Sequence, residues 1–352
     1  MRTEELKQTY EYTTDLTNVV GIKDYTFNSG YARGMRALEL YNGNGLRLTI
    51  LPDRCLDIPW ISYKDCNIGY LSRAEVRAPW YFEPHGNDGF LRQFFGGFIT
   101  TCGVNHAGNA TTVDGHDFPL HGWISNLPAD EVCAYVDKEG SELELVVRGT
   151  VVQSQALRER MVLNREWRVS TETGKIRLRD EIENMGVNAE PLKMLYHTNF
   201  GWPLLDAGAE VWTNAELLVP RTAESEAEMH YYNRIDGPLP GRPEANFALH
   251  GESEIGWAAL YNPRLGMAAV IRHRRDQLPE MNQWKKLSSG DYVLGLEPLC
   301  GGVFTKRHPL RYLEVGETAV FELEFEFTDS AEQIEKLRQM DAEQAKNFSP
   351  VQ

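Results

Sequence analysis

The clearest local pattern in the chain is an alternation of apolar and polar residues with a period of two. Near the C-terminus, three glutamates separate four apolar residues, namely Phe321, Leu323, Phe325 and Phe327. Similar alternation occurs over residues 46–50 and 176–182. Because successive side chains of a strand point to opposite faces, each pattern predicts a strand with one buried and one solvated face. Such strands are typical of antiparallel sheets.

Short turn sequences separate these runs, including those at residues 42–45 and 173–174. Turns at this density favour hairpins and meanders. Helical periodicity is scarce except at the C-terminus, where Ile334, Leu337 and Met340 recur on one face. This spacing predicts a short amphipathic helix over residues 330–346, packed on the sheets.

These patterns predict an all-β fold, a single large antiparallel β-sandwich. The chain contains no internal repeat, low-complexity run or long linker. Residues 221–246 are polar and rich in Pro and Gly, and we interpret them as a long surface excursion. We therefore expect one domain over residues 1–352, with residues 1–40 as an N-terminal extension.

The charge of the chain narrows the range of partners. Its 36 Lys and Arg residues and 51 Asp and Glu residues give a net charge of −15. Nucleic acids and anionic membrane surfaces attract basic proteins, so we expect neither as the main partner of this acidic chain.

The cysteines and the N-terminus indicate the compartment. The five cysteines are odd in number, widely spaced and without a CxxC pair, which favours a reducing environment over a disulfide framework or a structural zinc site. The N-terminal residues lack the apolar core of a signal peptide, and no window approaches 18 consecutive apolar residues. We therefore expect a cytoplasmic protein.

Three segments each place one ionisable residue within an apolar stretch that ends near Gly or Pro. They are Pro119–Pro128 with His121, Leu195–Pro203 with His197, and Leu294–Gly302 with Glu297. Burying an unpaired histidine or carboxylate is unfavourable, so these positions suggest groups near strand ends that a cleft exposes. The sequence has none of the motifs GxGxxG, GxxxxGK[ST], HExxH or GxSxG, which mark other common chemistries.

In this order, 76 and 100 residues apart, the three segments resemble the signature of the galactose mutarotase-like superfamily, the aldose 1-epimerases. The Leu120–Gly122 segment is similar to the first histidine motif, and the Gly295–Pro298 segment resembles the glutamate motif. In the second motif the family places an asparagine before the histidine, whereas here Asn199 follows His197. The resemblance covers roughly residues 40–328 and fits best a bacterial epimerase-like branch of unknown function.

The resemblance implies a large antiparallel sandwich that binds a monosaccharide in a groove across one sheet and interconverts the α and β anomers of an aldose. It implies that Glu297 is the base, that His197 is the acid toward the ring oxygen, and that His121 hydrogen-bonds the sugar. Opening a hemiacetal requires removing a proton from the anomeric hydroxyl and delivering one to the ring oxygen. A positioned acid or base typically contributes ~10²–10⁴-fold to such a step. This chemistry requires no metal or cofactor.

Planar aromatic and polar side chains near the motifs are candidates for substrate binding. They are Arg92, Asn105, His106, Trp123, Asn199 and Trp202. The resemblance favours Arg92, since the family often carries a sugar-contacting arginine in that region. For Trp123 and Trp202 the alternative is core packing. For Asn105 and His106 it is a solvated loop.

Alternative interpretations remain for two other groups of residues. His106, His116 and His121, with a carboxylate, could hold a first-row metal, although their spacing fits neither one helix face nor one strand face. The basic run at residues 272–275 could recognise a sugar phosphate or sugar acid, or could be a solvated strand end.

We therefore expect a cofactor-free isomerase of the aldose 1-epimerase type. A non-catalytic carbohydrate-binding protein is one alternative, against which the retained Glu297 argues because binding alone needs no base. Another sugar isomerase or a lyase that uses the same groove is the second alternative, and sensitivity to a chelator would favour a metal-assisted enzyme of that kind.

Overall fold

The computed structural model of the chain describes residues 1–113, 115–302 and 307–344, together with the backbone of residues 349–350. Two large sheets dominate it. Strands are numbered in chain order. The 12-stranded sheet contains, in spatial order, β1 (Gly21–Thr26), β2 (Arg36–Tyr41), β3 (Leu46–Leu51), β4 (Asp57–Tyr63), β8 (Ile99–Cys102), β16 (Met194–Phe200), β23 (Asp291–Cys300), β22 (Glu280–Ser288), β19 (Ala245–His250), β18 (Leu217–Pro220) and β26 (Ser349–Pro350), with β5 (Cys66–Asn67) paired to β4.

The second sheet has eight strands. In spatial order they are β11 (Ala129–Asp137), β12 (Glu144–Ser154), β13 (Arg160–Ser170), β14 (Lys175–Asn184), β25 (Thr318–Thr328), β21 (Met267–Arg274), β20 (Ile255–Asn262) and β17 (Glu210–Thr213). Three two-stranded ribbons complete the described strands, namely β6 (Tyr70–Leu71) with β7 (Gly96–Gly97), β9 (Thr111–Val113) with β10 (His116–Phe118), and β15 (Glu190–Leu192) with β24 (Arg311–Leu313).

The described helices are few and mostly short. They are α1 (Leu6–Tyr12), α2 (Gly86–Gln93), α3 (Ala223–Ala227) and α4 (Ala331–Gln344), with short 3-10 turns at Thr3–Glu5, Leu16–Asn18, Pro79–Tyr81, Ile124–Asn126 and Met229–Tyr231. None of these described helices is long and apolar enough to span a membrane.

The two large sheets pack face to face around one main apolar core, as the alternating pattern predicts. On β25, the four predicted apolar residues are buried in that core. Across the sandwich, the ring of Phe325 lies 5.2 Å from that of Phe98, which immediately precedes β8. Apart from the parallel pair β18 and β26, the strands of both large sheets pair antiparallel. The prediction of an all-β antiparallel sandwich is therefore confirmed.

The predicted C-terminal helix is present as α4, while residues 345 and 346 lie outside the described residues. Ile334 and Leu337 are buried against a second apolar cluster on the outer face of the eight-stranded sheet. Met340 is 40% exposed, so the prediction that it shares this buried face is wrong. At the other end of the chain, residues 21–26 of the expected N-terminal extension form β1 of the larger sheet.

A fully buried ion cluster lies in the core behind β16. The guanidinium of Arg165 contacts Asp57 at 3.0 Å and Asp180 at 2.7 Å. Asp180 also accepts a hydrogen bond from the hydroxyl of Tyr196, and Asp57 accepts two from Thr101 on β8. Buried charges are tolerated only when paired and hydrogen-bonded. The cluster therefore fixes β8 and β16 against the second sheet.

Candidate active site

Strand register brings three polar side chains together on the outer face of the larger sheet. Asn282 on β22 pairs with Glu297 on β23. The register of β16 with β23 pairs residue 195 with 299 and residue 198 with 296, which sets His197 opposite Glu297. Tyr196 and Leu296, which directly precede His197 and Glu297 on their strands, face the core. Because a strand alternates its faces, His197 and Glu297 point away from the core, into a cavity.

The ring of His197 is oriented by two oxygen atoms. Its Nδ1 lies 2.7 Å from Oδ1 of Asn199 and 3.5 Å from Oε1 of Glu297. The amide nitrogen of Asn199 donates to two backbone carbonyls, those of Gly96 and His197. This fixes Oδ1 as the atom that faces the ring. Nδ1 therefore carries a hydrogen, and Nε2 is the nitrogen left to exchange a proton with a ligand.

The carboxylate of Glu297 is only 2% exposed. Its Oε2 accepts a hydrogen bond of 2.9 Å from Asn282, whereas Oε1 is buried without a hydrogen bond. Burial raises the pKa of Glu297, while His197, Asn282 and Arg221 oppose that rise. Gly295, two residues earlier, faces Glu297, and a Cβ there would overlap Oε1.

His121 approaches from a turn outside the sheet, where its backbone has φ of 60°. Its ring centre lies 5.7 Å from that of His197 and 4.9 Å from that of Phe90. The backbone N–H of Gly108 donates to its Nδ1 at 3.3 Å. Burial, together with the neighbouring His197 and His106, holds the pKa of His121 well below its ordinary value. The ring is therefore neutral near pH 7, with Nε2 as its N–H donor.

The three predicted catalytic residues meet at one cavity of about 530 Å³, which lies in the range of small-molecule sites. Aromatic rings flank His197. The ring centres of Phe94 and Trp284 lie 4.9 and 5.4 Å from that of His197. Polar groups complete the wall, namely Asn87, Asn109, Arg221, Thr222, Glu244, Asn246, Glu280 and Asn282. Apolar contact surface with a few convergent polar groups suits a polyhydroxylated ligand. The prediction that the ionisable residues sit near strand ends does not hold for His197, which lies in the middle of β16.

The predicted substrate-binding residues lie elsewhere. Asn199 is buried and holds His197 rather than lining the cavity. Arg92 is exposed on α2, on a different side from Phe90, which lines the cavity. Trp202 is 65% exposed and is also absent from the cavity wall. Short motifs locate residues in sequence, but helix facing and turn geometry decide which side chains reach the cavity.

Asn105, His106 and Trp123 form a polar and aromatic layer beside the cavity, and none of the three is among the described residues that line it. Asn105 accepts a hydrogen bond from Gln153. His106 bonds the carbonyl of Asn109 and, like Trp123, packs against the ring of Phe118. These residues support the loop that carries Asn109 and, further on, His121.

Neither the alternative metal site nor the alternative anion site is formed by the described residues at this cavity. Within the described ranges, no group of three His, Cys, Asp or Glu side chains is placed to hold a metal ion. His116 is exposed on β10. In the basic run, Arg272 pairs with Glu324 and Glu326, and Arg274 pairs with Asp276. This run lies on the eight-stranded sheet and does not contribute to the cavity.

Arg221, Asn282 and Trp284 are cavity residues that the sequence analysis missed. Glu280, Asn282 and Trp284 occupy alternate positions of β22 and share its outer face. Gln283 and Lys285 on the other face are also polar, so no alternation in the sequence marks the outer one. Arg221 follows the last residue of β18 and belongs to no motif. Its position above the cavity depends on how the excursion folds back.

The fold is that of a galactose mutarotase-like β-sandwich, as the resemblance in the sequence implied. The structure is similar to that of a candidate aldose 1-epimerase from Klebsiella pneumoniae, with a TM-score of 0.87 and 23% identity over 100% of this chain and 92% of that one. A galactose mutarotase-like protein from Clostridium acetobutylicum has a TM-score of 0.64 and 11% identity, over 89% and 100% of the two chains. Galactose 1-epimerase from Lactobacillus acidophilus has a TM-score of 0.59 and 13% identity, over 88% and 99%.

The chain belongs to the DUF4432 family, a domain of unknown function whose family model matches residues 32–327. No curated protein matches the chain. At identities below 25%, the structural likenesses establish the fold alone.

Proposed function

We propose that the protein is a carbohydrate isomerase of the aldose 1-epimerase type, which interconverts the α and β anomers of an aldose. One observation carries this proposal. Oε1 of Glu297 is a buried carboxylate oxygen without a hydrogen bond, at a cavity that it shares with His197 and His121. Leaving such an atom unsatisfied is costly, and a hydroxyl group of a bound sugar would satisfy it.

The proposed reaction uses two proton transfers at one carbon. Oε1 of Glu297 takes the proton of the anomeric hydroxyl, and the O–H electron pair forms the C1 carbonyl. The bond from C1 to the ring oxygen breaks, and Nε2 of protonated His197 gives its proton to that oxygen. After rotation about C1–C2 the ring closes with the roles reversed, so protons and electrons balance over the cycle.

The geometry of the side chains fits these roles. The anomeric and ring oxygens are both bonded to C1. Oε1 of Glu297 lies 3.5 Å from Nδ1 of His197, which brings the imidazole that carries Nε2 close to the carboxylate. The raised pKa of Glu297 makes its carboxylate a stronger base than an exposed one. Neutral His121 donates Nε2–H to a sugar oxygen and so helps to hold the ring in place. Trp284 and Phe90 offer apolar surfaces for the C–H groups of the sugar.

The proposal includes the substrate class, the absence of a cofactor, the partners and the cellular location. The substrate is a monosaccharide, no cofactor or metal enters the scheme, and neither nucleic acid nor membrane is a partner. The cysteine spacing supports a cytoplasmic location.

Proton NMR of freshly dissolved pure anomers tests the proposal, on a screen of neutral, acidic and phosphorylated aldoses. We expect saturation transfer between anomeric protons to exceed the uncatalysed rate for at least one sugar, and Glu297→Gln to lower that exchange by about a hundredfold or more. Glu254→Gln is the matched control, because Glu254 is exposed in the turn before β20.

Two results would overturn the proposal. Saturable sugar binding without accelerated exchange would make the protein a carbohydrate-binding module. Exchange that a chelator abolishes and a divalent metal restores would indicate a metal-assisted isomerase or lyase instead.

A further inference from the structure

A hydrogen-bonded chain runs from Arg221 through Asn282 to Glu297. Nη1 of Arg221 lies 3.3 Å from Oδ1 of Asn282, and Nδ2 of Asn282 lies 2.9 Å from Oε2 of Glu297. We propose that Arg221 and Asn282 are positioning residues that keep Glu297 ionised and leave its Oε1 free as the proton acceptor. This inference rests on the proposed function, in which Glu297 is the base.

Arg221 sets the orientation of the Asn282 amide. A guanidinium can only donate hydrogen bonds, so the oxygen of the amide must face it. The nitrogen of the amide then faces Glu297. In the reverse orientation the amide oxygen would face the carboxylate, where both groups are acceptors. Nδ2 also lies 3.2 Å from Oδ1 of Asn246, a second acceptor that agrees with this orientation.

The backbone around Arg221 is built to hold this position. The N–H of Arg221 donates to the carbonyl of Asn246 on β19 and to the hydroxyl of Ser225. Thr222 and Ser225 bond each other reciprocally at the start of α3. Further along the excursion, Gln283 and Lys285 of β22 donate to its backbone carbonyls. The same strand thus carries Asn282 on its outer face and anchors the excursion with its inner face.

As a result, the two carboxylate oxygens of Glu297 have different roles. Oε2 already accepts the hydrogen bond from Asn282, whereas Oε1 accepts none and is the oxygen with its full capacity left for a ligand hydroxyl. Burial favours the protonated acid, whereas the amide hydrogen bond and the positive charge of Arg221 favour the carboxylate. Without the hydrogen bonds from Arg221 through Asn282, the effect of burial on the pKa of Glu297 would dominate. Glu297 would then be protonated at a pH where it must act as a base.

Other charged and titratable groups face the same space. Those that line the cavity or interact with Glu297 are His121, His197, Cys102, Cys300, Glu244, Glu280 and Arg221. Glu244 acts in the opposite sense to Arg221, because a second carboxylate disfavours ionisation of Glu297. This difference in sign supplies an internal control.

The test compares Asn282→Leu, Arg221→Gln, Arg221→Lys and Glu244→Gln with the wild-type protein. Asn282→Leu keeps the volume and removes the donor. Arg221 is exposed, so its variants fold even if Asn282→Leu does not. Arg234→Gln is the matched control, since Arg234 lies in the same excursion but does not line the cavity.

Two measurements apply to each variant. One is the pH dependence of kcat/KM for anomer exchange. The other is the titration of Glu297 by carbon NMR of protein labelled at the glutamate δ-carbons, with Glu297→Gln to identify its signal. The second measurement needs no activity. If the wild type exchanges no anomers, the proposed function fails. The titration still tests whether Arg221 and Asn282 keep Glu297 ionised.

We expect Asn282→Leu to move the titration of Glu297 and the acid limb of kcat/KM upward by about one pH unit or more, which is about a tenfold loss below the limb. Arg221→Gln should shift both in the same direction by less, Arg221→Lys should restore them, and Glu244→Gln should shift them downward. An unchanged titration, with any loss of activity equal at all pH values, would overturn the proposal.

Discussion

Asn199 holds His197 by a hydrogen bond of 2.7 Å between Oδ1 of the amide and Nδ1 of the imidazole. The two residues are separated by one position on β16 and therefore share its outer face. Through this bond, a residue that does not line the cavity determines which ring nitrogen of His197 is free for a substrate.

Replacing Asn199 should therefore impair catalysis more than binding. In Asn199→Leu the ring loses the acceptor that fixes its tautomer, and we expect anomer exchange to fall by at least about tenfold. The sugar Kd should change little, because Asn199 is not in the cavity wall. Saturation-transfer NMR gives the rate, and nitrogen NMR of the labelled imidazole reports the tautomer. A variant with normal exchange and an unchanged tautomer would contradict this role for Asn199.

Gly295 limits the position of the base. A Cβ at this residue would overlap Oε1 of Glu297, which is the end of a flexible side chain. We expect Gly295→Ala to displace the carboxylate and reduce kcat by at least about tenfold, with only a small change in Tm. Gly140→Ala is the control, because the space around Gly140 accommodates a Cβ. Undiminished exchange in Gly295→Ala would show that the base tolerates movement.

Burial of Glu297 should make the folded protein less stable as pH rises. The pKa of this carboxyl is raised in the folded state, so its contribution is fully present below the unfolded pKa and is lost as pH rises through the folded one. We expect Glu297→Gln to raise Tm relative to wild type near pH 8, and this gain to shrink toward pH 4. Thermal unfolding across this range tests the sign, with Glu254→Gln as the exposed control. A gain that is independent of pH would exclude ionisation as its cause.

The ion cluster behind β16 should be essential for stability. Arg165→Met would leave Asp57 and Asp180 buried without their cation, and losing one partner of a buried pair typically costs about 3–5 kcal/mol. Burial already raises the pKa of Asp57 to about 6, so the loss should be larger at pH 8 than at pH 5. Urea unfolding gives the free energy of unfolding at both values.

Arg179→Met serves as the control for this prediction. Arg179 belongs to the same sheet, but its ion pairs are exposed, and exposed pairs contribute about 0–1 kcal/mol. Equal losses in the two variants would show that the buried cluster adds no particular stability.

The sequence by itself determined the fold class and the three central site residues. The alternating residues of β25 and β14 encode their own buried faces, because the period of a strand is a local property of the chain. His121, His197 and Glu297 each stand in a short apolar segment that can be recognised without knowing its neighbours. The pairing of His197 with Glu297 follows once two such strands are placed side by side.

Only the tertiary structure decided the rest of the site. Asn282 and Arg221 reach Glu297 through the lateral register of β22 and the return of the excursion, which depend on contacts between residues far apart in sequence. Arg92 and Trp202 were placed in the site by proximity along the chain, yet the facing of α2 and the turn after β16 leave both exposed. Hydrophobic periodicity is a local property of consecutive residues. The wall of a cavity is formed by strands and loops that meet only when the whole sandwich has folded.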